Sequence, residues 1–148
     1  MSQILRSLLE VIQILSSGSS KKAIKEKFEL LAEHAEYDFD ISVEFINGIN
    51  SFWIPTPKDE IKELECYGII DIGDDQTEFE KLVSLMHEIG HVLFQIDNRL
   101  IGNRWHSLFE ESLAWYHGYD YALKNGVEID LSEYAARVEE ALKLYSGR

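Results

Sequence analysis

At Asp38 the spacing of apolar residues changes from three-and-four to two, and near Thr77 it changes back. That double switch limits the chain to helices on either side of a short sheet segment, an α+β class. Between the switches, Phe39, Ile41, Val43 and Phe45 alternate with Asp40, Ser42 and Glu44, which predicts a strand with one buried face. Asn47-Gly48 is the preferred pair for a two-residue hairpin turn, so Ile49–Ile54 is expected to return antiparallel and stop at Pro55. Residues 57–65 are expected to hold a turn or two of helix, and Tyr67–Ile72 a further strand closed by Gly73. The sheet is thus expected to be small and mainly antiparallel.

Helices are expected on both sides of it. Residues 2–15 place apolar groups at helical spacing, and Ser16-Ser17-Gly18-Ser19-Ser20 predicts a break before a second helix over about 20–36 with Ile24, Phe28, Leu31 and Ala35 on one face. A strong helix follows from about Thr77 to Gln95, with Phe79, Leu82, Val83, Met86, Ile89, Gly90 and Leu93 around its inner face. A polar loop over 97–106 leads to a helix from Ser107 to Lys124, ended by Asn125-Gly126. Asp130 and Glu133 have capping-box spacing for a last helix to about Tyr145. No repeat or linker divides residues 1–148, which are expected to form a single domain.

The charge balance narrows the partners. Fourteen Lys and Arg against 27 Asp and Glu leave a net charge of −13. Nucleic acid and anionic membrane surfaces both call for a basic footprint, so neither is an expected partner. A solubilising surface accounts for most of the acidity, which also tolerates a neutral or basic protein substrate and a divalent cation. The single cysteine, Cys66, allows no internal disulfide and no Cys-rich zinc knuckle. Without a convincing signal peptide or an apolar run long enough to span a membrane, the expected location is cytoplasmic.

His87-Glu88-Ile89-Gly90-His91 carries the chemistry. Residues four apart on a helix share a face, so the two imidazoles can point at one metal ion about 2.0–2.1 Å from each nitrogen. Glu88 flanks that face and can take a proton from water activated by the metal. The alternative is a solvated helix that carries these residues by coincidence, but the motif lies inside an apolar helical pattern and Gly90 leaves room beside His91. A catalytic zinc needs a third protein ligand. Phe94 and Asp97 exclude the pattern with a third histidine on the same stretch, and Glu110 and Glu111 at the start of the next helix are the candidates. Glu111 shares its side with the small residues Ala114 and Gly118, whereas Glu110 shares its side with Leu113, Ala114 and His117; periodicity leaves both open.

Glu111-Ser112-Leu113-Ala114 resembles the ligand segment of the gluzincins, with Ser112 in a glycine position. The order of helices, short sheet, HExxH helix and glutamate helix is similar to minimal gluzincins and ImmA/IrrE-type metallopeptidases. The resemblance covers residues 87–91 and 110–114 as motif and roughly 38–124 as architecture. It implies a zincin-like fold and a zinc metallopeptidase with His87, His91 and Glu111 as ligands and Glu88 as general base. It implies that Glu110 is a solvated carboxylate favoured by the helix dipole. The chain departs from the thermolysin pattern at Trp115, where that type carries an aspartate, so the residue that orients a ligand histidine is unassigned. Candidates for stabilising an oxyanion are His106, Tyr116, His117 and Tyr119. Cys66 is a remote third ligand by analogy with peptide deformylases, its default role being a small buried hydrophobe.

Three functions follow as expectations. The first is a peptidase acting on a peptide or protein laid along the edge of Tyr67–Ile72. The second is a regulatory or protein-interaction module with a structural metal, and the third a hydrolase of other amides. Glu88 separates the first two, since a structural site does not require it.

Overall fold

A computed structural model describes residues 2–57, 67–98 and 108–146. Helix α1 runs from Gln3 to Phe39, β1 from Ser42 to Ile46, β2 from Phe52 to Pro55 and β3 from Gly68 to Gly73. Helices α2 (Glu78–Asn98), α3 (Leu108–Lys124) and α4 (Leu131–Ser146) follow. The class is α+β and mostly helical. The segment 58–66, with its expected helical turn and Cys66, lies outside the described residues, as does 99–107 with His106.

The expected break at 16–20 is not there: α1 is one helix of 37 residues, capped at its start by the Ser2 hydroxyl, which accepts from Leu5 N–H. Serine and glycine each cost a helix about 1 kcal/mol or less, and only proline forbids continuation. The helix ends where Asp40 turns left-handed at φ 53°. Its second half buries Phe28, Leu31 and Ala35 as the periodicity predicts, with Ala32 beside them, while Ile24 is only partly buried. Its first turns do not: Ile4, Leu5 and Leu8 are exposed, because helical spacing shows that a face is apolar, not that anything covers it.

The sheet corrects a second expectation. Strand order is β1-β3-β2, with β1 parallel to β3 and β2 antiparallel to it, so the sheet is mixed and β1 and β2 do not form a hairpin. The favoured hairpin turn needs positive φ at both central residues, and of Asn47 and Gly48 only Gly48 has it (φ 113°). The segment 47–51 instead crosses the end of β3. Asp74 N–H donates to Ile46 O at 2.8 Å and Asp75 N–H to Gly48 O at 2.9 Å. Gly73 makes room for this crossing, since a Cβ there would stand 2.6 Å from Gly48 O. β3 takes the centre and is the most buried strand, with Ile70 and Ile72 fully buried. It therefore has no open edge for a substrate.

Helix α2 is the hub. Thr77 Oγ1 caps it by accepting from Glu80 N–H, and it touches α1, β2, β3 and α3. Leu82, Leu85, Met86 and Ile89 are completely buried around it. Against α3 the contact is backbone to backbone. A Cβ on Gly90 would run into the Ala114 carbonyl, and one on Gly118 into the Met86 carbonyl. Helix α4, capped by Asp130 Oδ1 on Glu133 N–H, packs on α3. Among the described residues no helix is long and apolar enough to cross a membrane.

The glycine contact yields a prediction. Alanine is the better helix former by about 1 kcal/mol, but at Gly118 its methyl group meets a carbonyl that cannot rotate away, and overpacking costs about 1–3 kcal/mol. Gly118→Ala should lower stability by about 2 kcal/mol in urea unfolding; a stabilised variant would contradict the close approach.

Candidate metal centre

Two residues one turn apart on α2 and one from the first turn of α3 meet at the base of a cleft. His87 and His91 share a face because they are four apart. The small residues at 90, 114 and 118 let α3 come near enough for a short side chain to reach both. His87 Nε2 and His91 Nε2 are 3.1 Å apart; Glu111 Oε2 lies 3.0 Å from the first and Glu111 Oε1 3.2 Å from the second. His87, His91 and Glu111 lie close enough to hold one metal ion. Ligand atoms about 2.0–2.1 Å from a tetrahedral ion stand about 3.3–3.4 Å from one another, so the trio needs only a few tenths of an ångström to close around a cation.

Glu110 is not the solvated carboxylate expected. It is 3% exposed, and its Oε1 stands 3.5 Å from His91 Nδ1. Neighbours on a helix point about 100° apart. Here Glu111 meets His91 on the Nε2 side and Glu110 meets it on the other side of the ring. In metal sites a carboxylate on that side of a ligand histidine commonly orients the ring.

Glu88, 7% exposed, lines the same cleft. Burial pushes its carboxyl up to about 7, the His91 charge opposes this, Glu111 reinforces it, and a hydrogen bond from the backbone of Trp53 opposes it again. Burial also pushes Glu111 up, but hydrogen bonds from His87 and His91 outweigh it and hold the group well below the usual carboxylate range. For His91, burial lowers the value, and the Glu111 hydrogen bond with the charges of Glu88, Glu111 and Glu110 raises it overall.

The cleft holds about 620 Å³. Phe52 and Trp53 of β2 form one wall, Trp115 another, and Ala141 and Leu144 of α4 the rim. Trp53 ties β2 to α2 through Nε1, which donates to Gln95 Oε1 at 2.5 Å. Trp53, Gln95 and Trp115 were not foreseen as part of the site. Gln95 and Trp115 carry a signal in the sequence, since each stands four residues beyond a member of the cluster, His91 and Glu111. Trp53 carries none. Of the oxyanion candidates, Tyr116, His117 and Tyr119 do not line the cleft; Tyr116 is exposed and Tyr119 packs against Tyr134.

No protein-family model, no curated protein and no solved structure matches this chain.

Two outcomes follow from the geometry. Glu111→Gln should abolish tight metal binding, whereas Glu110→Gln should keep a site weakened by about 10–100-fold, measured by competition with a chromogenic chelator. The reverse order would exchange the two roles. The second concerns chelator-treated protein. The ordinary value for Glu88 is 4.5 and its folded value about 7, so as pH rises through that window its ionisation favours the unfolded chain. Glu88→Gln should therefore gain stability over wild type between about pH 5 and about pH 8, on the order of 3 kcal/mol. Urea midpoints that stay parallel across that range would refute it.

Proposed function

We propose that this chain is a zinc metallopeptidase of zincin-like architecture in which His87, His91 and Glu111 hold the ion and Glu88 is the general base. The observation that carries the reading is the convergence of two Nε2 atoms and a carboxylate within 3.2 Å, beside a buried carboxyl whose proton affinity lies near neutrality. Two imidazoles and one carboxylate are a donor set that suits zinc and leaves a position open. When bound, zinc supplies Lewis acidity, polarising a carbonyl and making nearby water more acidic.

The chain's own groups supply the rest. Glu88 takes a proton from water at its carboxylate and gives it to the leaving nitrogen as the peptide bond breaks; burial strengthens it as a base. The hydrogen bond from the Trp53 backbone fixes where that carboxylate points. Among the described residues β2 has β3 on one side only, and an extended peptide can lie along the other. Thr56 N–H bonds to Tyr67 O, so by the alternation of an antiparallel strand Trp53 and Pro55 turn their backbone groups away from β3. Their carbonyls can accept from substrate N–H groups. The edge beside the cleft thus replaces the edge of Tyr67–Ile72 expected from sequence. A module with a purely structural metal has no use for Glu88.

Glu88→Gln preserves shape and removes the base. It should keep zinc near wild-type affinity while cleavage of a quenched-fluorescence peptide mixture falls by about 10²–10⁴-fold. Undiminished cleavage by this variant would overturn the assignment of the base.

A further inference from the structure

Trp115 stands one turn beyond Glu111 on α3, and its indole lies almost flat on the His87 ring, with centroids 4.0 Å apart and planes at 26°. His91 meets His87 from another direction, edge-on at 4.6 Å and 78°. The indole is itself held from behind. Trp115 is 8% exposed, the buried Tyr134 hydroxyl donates to the Trp115 carbonyl at 2.5 Å, and the Tyr134 ring packs edge-on against the indole at 5.7 Å. Tyr134 comes from the first turn of α4, so a chain of contacts runs from α4 through Trp115 to His87.

The two metal-facing histidines thus have different supports. His91 has a carboxylate near Nδ1, at 3.5 Å; His87 has a ring face. Rotation about the last bond of a histidine is broad, and a ring that must aim one nitrogen at an ion has to be held in place. We infer that Trp115 is a positioning residue for the metal centre: its stacked indole fixes the rotation of His87 so that Nε2 faces Glu111 and His91 Nε2. The stack holds His87 by shape and dispersion, whereas the carboxylate near His91 Nδ1 acts on that ring by charge. The inference rests on the reading of His87, His91 and Glu111 as metal ligands.

The test uses the full chain with zinc, and with cobalt as a spectroscopic stand-in. Trp115→Phe keeps a ring face and should bind zinc within about threefold of wild type. Trp115→Leu keeps bulk without a ring face and should bind about tenfold more weakly, with altered visible bands of the cobalt form. A leucine variant that binds zinc as tightly as wild type with an unchanged cobalt spectrum would overturn the inference. Should that variant not fold, proton NMR of the zinc-loaded wild type decides. The His87 ring protons should lie upfield of those of His91 through the indole ring current, and their absence from that position would overturn it equally. Wild-type protein that binds no zinc at all would instead bring down the ligand assignment beneath it.

Discussion

The contact between the backbones of α2 and α3 is the constraint on which the rest depends. Packed helices ordinarily keep their axes about 8–10 Å apart, a distance set by the side chains between them. At Gly90 and Gly118 there are none, and each glycine faces a carbonyl of the other helix. Two glycines inside helices cost about 1 kcal/mol apiece relative to alanine. What that cost secures is reach. A glutamate is short, and only with the helices this close can one carboxylate approach two imidazoles that lie a turn apart. Ala114 serves the same end, presenting its backbone where a larger residue would hold the helices apart. The glycine in the middle of HExxH is in this chain a spacer between helices as much as part of a motif.

That closeness concentrates charge. Glu88, Glu110 and Glu111 are each less than a tenth exposed and share their surroundings with His87 and His91. In a protein of net charge −13, three buried acids are unfavourable unless something positive stands among them. Protonated histidine is one answer, and the raised value of His91 is its trace. A divalent cation is a stronger one, because it compensates the carboxylates without requiring a proton on either ring. With an ion held there as proposed, metal affinity and folding are parts of one equilibrium.

The helices after the sheet and the His87–His91 pair were legible in the sequence for a local reason. His87 and His91 are four apart, and a helix converts that interval into proximity with no help from the fold. The Ala114–Gly118 stripe left Glu110 and Glu111 both open, and the choice of Glu111, which does stand beside His87 and His91, came from the resemblance of its segment and not from periodicity. The sheet was less legible. Whether β1 pairs with β2 or with β3 depends on residues more than twenty positions apart, and the Asn47-Gly48 signal reports only a turn, which here passes over the end of β3 instead of folding β2 back on β1. Glu110 was misread because a polar residue in a first turn is ordinarily solvated, and nothing local announces that His91 lies over it. Ile4, Leu5 and Leu8 show the same limit from the apolar side.

The outer edge of β2 has a consequence of its own. Of the two residues that turn their backbone outward, Trp53 has its amide committed to Glu88 and Pro55 has none. An open strand normally offers donors and acceptors alternately, and for that reason one such edge can zip onto another and seed aggregates. This one offers acceptors alone. Two copies brought edge to edge would oppose carbonyl to carbonyl over these residues and repel. Over these residues the edge is a poor template for a copy of itself.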